Sequence, residues 1–123
     1  MGSLNERGKM KKIYVAGPYS ASDARKVQAN VNEAIRIGCE LIKKGYAPFI
    51  PHLSHYIWIH PDGDFGYEVW TNLDFVWLDH CDAFFYMESS NGADKELEYA
   101  KKMGIPIYYS LSSVPDLLNE VKK

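Results

Sequence analysis

Short apolar runs alternate with helical stripes along this chain, and that alternation constrains the fold more than any other feature. Four runs rich in β-branched and aromatic residues end at glycine, proline or polar residues, which is typical of buried strands. They are Lys12–Ala16, Tyr46–Ile50, Ala83–Met87 and Ile105–Tyr109. Strands separated by helices predict a parallel sheet with helices on both faces.

The segments between the strands have helical periodicity. In the first of them, apolar residues recur from Val27 to Leu41, Ser22 or Asp23 is placed to cap the helix, and Gly45 follows its end. Further helices are predicted over Tyr67–Cys81, Ala93–Met103 and Pro115–Lys122. The fold class is therefore a single-domain, three-layer α/β/α arrangement with a four- to five-stranded parallel sheet, flavodoxin-like or Rossmann-like.

Length and charge limit the classes of protein to consider. The chain has 123 residues, enough for one core. Residues 1–10 are interpreted as a leader or tail without the apolar segment of a secretory signal, and 11–123 as the domain. A net charge of −2 predicts no nucleic-acid partner, and no apolar run is long enough to predict a membrane span. Cys39 and Cys81 are expected to be buried free thiols, so the expected location is the cytoplasm.

Three turns are predicted to meet at one edge of the sheet. In parallel α/β sheets, ligands bind beyond the carboxyl ends of the strands. The turns Gly17–Ser20, Pro51–His55 and Glu88–Gly92 all follow such ends. The segment His52–Gly66 is predicted to be a long irregular loop, a type that is usually functional or mobile.

Ser90 and Gly92 precede a predicted helix, whose free N–H groups favour an anion. Ser90 adds a hydroxyl, and Gly92 permits close approach to the backbone. The alternative is that Ser90 or Asn91 only caps the helix.

Two carboxyl groups are candidates for chemistry. Glu96 is placed in the first turn of the same helix, where the dipole favours its ionised form and suits a nucleophile. The alternative is a glutamate that serves only the dipole or a capping box. Asp74 interrupts an apolar helical stripe, so burial is expected to raise its pKa and make it an acid, unless it turns to the solvated edge.

Aromatic and histidine side chains border the same turns. The phenols of Tyr14 and Tyr19 are candidates to bond a carboxylate or a sugar hydroxyl, although Tyr14 suits the core equally well. His52 and His55 offer two possible metal ligands without a third and fourth at zinc-like spacing, so we predict no metal. We interpret the histidines and the aromatic residues of this loop, such as Tyr56 and Trp58, instead as part of a lid or of a surface that stacks on a base. Nucleotide-binding glycine motifs and the serine-hydrolase elbow are absent from the sequence, and no cofactor is predicted.

Three motifs together resemble the nucleoside 2-deoxyribosyltransferase superfamily. They are I-Y-V-A-G-P-Y-S, D-F-V-W-L-D-H-C-D-A, and S-N-G-A-D-K-E-L-E-Y-A followed by G-I-P-I. The resemblance spans Ile13 to about Tyr109. Within the superfamily, the chain is similar to the 2′-deoxynucleoside 5′-monophosphate N-glycosidases and their uncharacterised phage and prokaryotic relatives.

The resemblance implies a role for five residues. Glu96 corresponds to the nucleophile, Asp74 to the carboxyl that assists departure of the base, and Tyr14 to the tyrosine that positions the nucleophile. Ser90 corresponds to the hydroxyl that binds a 5′-phosphate, and Gly17 to the glycine of the first turn. Pro-Tyr-Ser replaces the arginine-bearing, glycine-rich turn of the phosphate-specific enzymes.

The function expected from this resemblance is hydrolysis of the base–sugar bond of a nucleoside 5′-monophosphate through a glycosyl-glutamate. Exchange of bases by a deoxyribosyltransferase and non-catalytic nucleotide binding are the alternatives. The resemblance also implies a homodimer or higher homo-oligomer in which a neighbour completes the site.

Overall fold

Four parallel strands form one sheet at the centre of the computed structural model, which describes residues 7–118. The strands are β1 (Lys12–Ala16), β2 (Ala47–Phe49), β3 (Ala83–Tyr86) and β4 (Ile107–Tyr108). Their order across the sheet is β2-β1-β3-β4, and every neighbouring pair is parallel. The chain leaves β1 toward one side for β2 and returns to the other side for β3. The order therefore reverses between β1 and β3, which is where ligands bind in sheets of this kind.

Helices cover both faces of the sheet. They are α1 (Ala24–Lys43), the single turn α2 (His55–Trp58), α3 (Tyr67–Leu78) and α4 (Asn91–Met103), with 3-10 turns at Arg7–Lys9, Pro51–Ser54 and Leu111–Ser113. The core on one face includes residues of α1, and the core on the other includes residues from the end of α3 and from α4. The predicted three-layer α/β/α fold is confirmed.

The side chains of β1 alternate between these two cores, as the twofold period of a strand requires. Ile13 and Val15 pack in the cluster that contains Leu41 of α1. Tyr14 and Ala16 pack in the opposite cluster, on the side of α3 and α4. This alternation directs the Tyr14 ring toward the helix that carries Glu96.

The starts of α1 and α4 are fixed by side-chain caps. Asp23 Oδ1 accepts a hydrogen bond from the Arg25 amide at 2.8 Å, and Ser90 Oγ accepts one from the Ala93 amide at 3.1 Å. Because Ser90 is the cap, α4 begins at Asn91, earlier than predicted. Glu96 therefore lies in the second turn of α4, and its predicted place in the first turn is wrong.

The segment His52–Gly66 is more regular than predicted. It includes most of the Pro51–Ser54 turn and all of α2, because bonds such as Leu53 N to Ile50 O and Ile59 N to His55 O close successive turns. The prediction of one long irregular loop is wrong over this half of the segment. Strands β2 and β4 are shorter than predicted, since fewer of their residues pair with a neighbour.

Both cysteines are free, but only one is buried. Cys81 is buried just past the end of α3, because that helix stops at Leu78 and a turn follows. Cys39 is exposed on α1, so its predicted burial is wrong. Residues 1–6 of the predicted leader and the second half of the helix predicted over Pro115–Lys122 lie outside residues 7–118. None of the helices within that range combines the length and apolar character of a membrane span.

Candidate active site

A cleft of about 740 Å³ opens at the carboxyl ends of β1 and β3. Residues of all three predicted turns line it, and α3 supplies a further wall. A volume of this size is typical of a small-molecule site. The lining includes eight of the nine side chains or glycines predicted from sequence: Gly17, Tyr19, His52, His55, Asp74, Ser90, Gly92 and Glu96.

The ninth, Tyr14, lies beneath the cleft and contacts its central carboxyl. The Tyr14 ring is fully buried, and its hydroxyl donates a hydrogen bond of 2.7 Å to Glu96 Oε2. Burial and the neighbouring carboxyls raise the pKa of the phenol, so it remains protonated and acts only as a donor. Both interpretations from sequence apply: Tyr14 is a core residue and also a partner of Glu96.

The Glu96 carboxyl titrates near neutral pH. Its pKa is raised to about 7: burial has the largest effect and raises it, the Tyr14 hydrogen bond lowers it, and the nearby Asp74 carboxyl raises it. We expected the helix dipole to keep this group ionised, but Glu96 lies beyond the first turn, where the dipole is strongest. Burial therefore has the larger effect, and both protonation states are accessible at physiological pH.

Asp74 supplies a second carboxyl from α3. Burial raises its pKa to about 7, in agreement with the direction expected for a carboxylate on an apolar stripe. The described residues offer it no hydrogen bond or ion pair, although it lines the cleft. A half-buried carboxyl without a protein partner is available to a ligand.

The turn after β1 is held tightly against its surroundings. Met87 donates its amide to Ala16 O at 2.8 Å, and a Cβ on Gly17 would lie 2.9 Å from Met87 Cβ. On the other side, His52 Nε2 lies 3.0 Å from Pro18 O. Burial lowers the pKa of His52, so its ring is neutral and Nε2–H donates to that carbonyl.

Tyr19 and His55 form a pair on the wall formed by the β1 and β2 turns. The Tyr19 hydroxyl lies 2.9 Å from His55 Nδ1, and the rings meet edge to face. Asn30 Nδ2 donates to Tyr19 O at 3.0 Å, which fixes the backbone of the turn. The two side chains therefore act as one unit facing the ligand space.

The start of α4 forms another part of the lining. Ser90 caps the helix, as the alternative reading of the sequence holds, and it also lines the cleft. No atom lies within 4 Å of a Cβ built on Gly92, so the backbone at this position is open to an approaching group. Lys95 adds a positive charge to the same wall.

Some lining residues were not identified from sequence. Trp70 and Lys95 both border the cleft. Trp70 had a detectable signal, since it lies four residues before Asp74 and therefore on the same helix face. No pattern distinguished Lys95 from an ordinary surface lysine, because only the position of α4 against the sheet brings it to the cleft.

The arrangement suits acid–base and nucleophilic chemistry. Glu96 and Asp74, both with pKa values near 7, line one cleft. The Tyr14 hydroxyl, which stays protonated, donates a hydrogen bond to Glu96 from beneath, and aromatic rings line the rest of the cleft. Within residues 7–118, no group of three or more His, Cys, Asp or Glu side chains is arranged to hold a metal ion.

A protein-family model matches residues 11–110, from just before β1 to just after β4. Its description is "Domain of unknown function (DUF7768)". The match includes every residue that lines the cleft. No curated protein sequence matches the chain.

Proposed function

The chain belongs to the DUF7768 domain family, whose description assigns no activity, and from the geometry of the cleft we propose that it hydrolyses the N-glycosidic bond of a nucleoside 5′-monophosphate. The observation that carries the proposal is the pair Glu96 and Asp74, two partly buried carboxyls in one cleft, with Tyr14 bonded to Glu96. The resemblance of the three sequence motifs to nucleoside 2-deoxyribosyltransferases agrees with it.

In the first step, ionised Glu96 attacks the anomeric carbon of the sugar. A new carbon–oxygen bond forms as the carbon–nitrogen bond breaks, and the electron pair of that bond passes to the base nitrogen. Protonated Asp74, or a water that it holds, supplies the proton that the departing base takes up. Tyr14 orients the nucleophile and lowers its pKa, which increases its ionised fraction.

In the second step, water attacks the same carbon. The bond to Glu96 breaks and regenerates its carboxylate, while Asp74 accepts a proton from the water. Two displacements at one carbon retain its configuration, as in retaining glycosidases. Glu96, Asp74 and the attacking water supply every proton and electron pair in this scheme, so the proposed reaction requires no cofactor.

The remaining lining supports a nucleotide as the substrate. The aromatic rings of Tyr19, Trp58 and Trp70 offer surfaces for a base. On the wall formed by α4, the Ser90 hydroxyl, the open backbone at Gly92 and Lys95 favour the phosphate. In this proposal the base contacts the aromatic rings and the phosphate binds at the start of α4.

We also propose that the chain forms a homodimer. The outer face of α3 exposes Val69, Leu73, Val76 and Trp77, each with more than 40% of its surface accessible. The spacing of Val69, Leu73 and Val76 places them along one side of the helix, away from the side that carries Asp74. Trp77 lies at the edge of this side, where its ring stacks on Phe49. An apolar helix face beside a partly open cleft suits contact with a second copy of the chain.

The test is chromatographic detection of released base from a panel of ribo- and deoxynucleosides and their 5′-monophosphates. We expect free base and sugar phosphate from wild type, and a rate at least about 10³-fold lower from Glu96→Gln. Glu98→Gln is the matched control, because Glu98 is exposed on the same helix and pairs only with Lys101.

Two outcomes would replace the proposal. Formation of a new nucleoside when a second base is added would indicate base transfer. Tight binding without release of base from any compound would indicate a binding module.

A further inference from the structure

His55 has one ring nitrogen engaged and one available. Tyr19 occupies Nδ1 at 2.9 Å, while Nε2 has no hydrogen-bond partner among residues 7–118. His55 lines the cleft and is half-buried. An available polar atom on a side chain that another residue holds in place is typical of ligand recognition.

The partner of Nδ1 decides which nitrogen carries the proton. Burial raises the pKa of Tyr19, so its phenol keeps its hydrogen. A phenol is a stronger donor than acceptor, and a neutral imidazole nitrogen without a proton accepts well. Donation from Tyr19 to Nδ1 therefore leaves the proton of His55 on Nε2.

Neighbouring residues support the observed arrangement of the pair. Asn30 holds the carbonyl of Tyr19, and His52 holds that of Pro18 beside it. The Tyr19 ring meets both histidine rings edge to face, which limits its rotation. The orientation of His55 is thus fixed before any ligand enters, which reduces the entropy lost on binding.

We propose that Tyr19 and His55 form the base-recognition element of the cleft, in which His55 Nε2–H donates a hydrogen bond to an acceptor on the edge of the nucleobase. The acceptor is a ring nitrogen of a purine or a carbonyl oxygen of a pyrimidine. Tyr19 is a positioning residue that fixes the tautomer of His55. This inference rests on the proposed function, because it takes a nucleotide as the ligand.

The pair and the proposed phosphate site lie on different elements of the cleft. Tyr19 follows β1 and His55 begins α2 after β2, whereas Ser90 caps α4 after β3 and Gly92 lies in its first turn. A nucleotide bound across the sheet would therefore place its base against the histidine and its sugar beside the carboxyls. Trp58, which follows His55 in α2, adds an aromatic surface on the same wall.

The test is calorimetric binding in the Glu96→Gln background, where turnover does not interfere. The ligands are deoxyadenosine, 7-deazadeoxyadenosine and thymidine 5′-monophosphates, with deoxyribose 5-phosphate as the ligand without a base. We expect His55→Leu to weaken binding of at least one natural nucleotide about 5- to 10-fold and to leave deoxyribose 5-phosphate unchanged. A loss for deoxyadenosine monophosphate that spares its 7-deaza analogue identifies the purine N7 as the acceptor, and a loss for thymidine monophosphate identifies a carbonyl.

Two further variants separate recognition from structure. His55→Gln keeps a donor and is expected to recover part of the lost affinity, whereas Tyr19→Phe is expected to lose about 2- to 3-fold because His55 no longer has a fixed tautomer. His60→Leu is the matched control, since His60 is an exposed histidine of the following loop that does not line the cleft. We expect it to bind like its parent.

Base recognition by His55 and hydrolysis through Glu96 can each be overturned without the other. Equal losses for all ligands, deoxyribose 5-phosphate included, or no loss for any nucleotide would overturn base recognition by His55. If wild type still releases base in a Glu96-dependent manner, the proposed function survives that result. If His55 determines binding of the base but wild type releases none, the recognition element stands and hydrolysis is overturned.

Discussion

Burial disfavours the ionised form of the Glu96 and Asp74 carboxyls. The protonation state of these two groups therefore affects the stability of the fold as well as the proposed chemistry. Both have pKa values raised to about 7, from ordinary values of 4.5 and 3.8. A carboxyl whose pKa rises on folding binds its proton more tightly in the folded state. Its contribution to stability is therefore full below its unfolded pKa and is lost as the pH rises through about 7.

Replacing either carboxyl by its amide should stabilise the protein at alkaline pH. At pH 8.5 we expect Asp74→Asn and Glu96→Gln each to increase the free energy of unfolding by about 2 kcal/mol, allowing for partial exposure to solvent. At pH 4 the difference from wild type should be small, because wild type then carries neutral carboxyls as well. Urea denaturation at the two pH values measures this, and equal effects at both would contradict the assigned pKa shifts.

The hydrogen bond from Tyr14 should be visible in the pH profile of activity. Tyr14→Phe removes an interaction that lowers the pKa of Glu96, so the acidic limb of kcat/KM should move to higher pH. At pH 6 we expect a loss of about 10-fold, which should diminish toward pH 8.

Tyr46→Phe provides the control for Tyr14→Phe, because Tyr46 is also a buried tyrosine, but its hydroxyl donates to Pro115 O. A parallel shift of the profile in this variant would show that the effect comes from packing.

At the scale of elements, Gly92 at the start of α4 weakens the helix and also leaves its backbone accessible from the cleft. Glycine within a helix destabilises it relative to alanine, yet here it leaves the backbone open to the cleft. A residue that weakens its own helix while bordering a ligand space suits a binding role better than a structural one.

Gly92→Ala should therefore separate stability from binding. We expect the free energy of unfolding to rise by about 0.5–1 kcal/mol, because alanine favours the helix and a Cβ meets no atom within 4 Å. If the proposed phosphate site is right, KM for a nucleoside monophosphate should rise several-fold while that of the parent nucleoside stays constant, since the methyl group would obstruct only the phosphate. Thermal denaturation and steady-state kinetics measure the two effects, and an equal change in both KM values would place the phosphate elsewhere.

At the scale of the whole molecule, α3 has two different sides. One carries Trp70 and Asp74 to the cleft and, one turn further on, Leu78 to the core, whereas the outer one exposes Val69, Leu73 and Val76. The apolar character of the outer side has no explanation within a single copy of residues 7–118.

Charge on this outer side should dissociate the proposed dimer. We expect Leu73→Lys combined with Val76→Lys to reduce the sedimenting mass from that of two chains to that of one, because two buried ammonium groups cannot be solvated at an apolar interface. Ile42→Lys is the control, as Ile42 is a comparably exposed apolar residue on α1. A wild type that sediments as one chain at all accessible concentrations would contradict the dimer.

Much of the fold could be predicted from local sequence. β1 and the helix caps depend on residues near one another in the chain, so the pattern predicted β1 and limited each cap to two neighbouring residues, of which the structure has Asp23 and Ser90. The ends of β2 and β4 could not be predicted in this way, because a strand ends where its neighbour stops pairing. The exposure of Cys39 likewise depends on which side of α1 meets the sheet.

The sequence by itself determined the alternation of strands and helices, and hence which turns share one edge of the sheet, because hydrophobic period and turn chemistry are local properties. Only the tertiary structure decided that Glu96 has its pKa set by burial and by Tyr14, that Tyr19 pairs with His55, and that Lys95 reaches the cleft. These depend on distances between residues far apart in the chain and on how much water each group keeps, which no local pattern records.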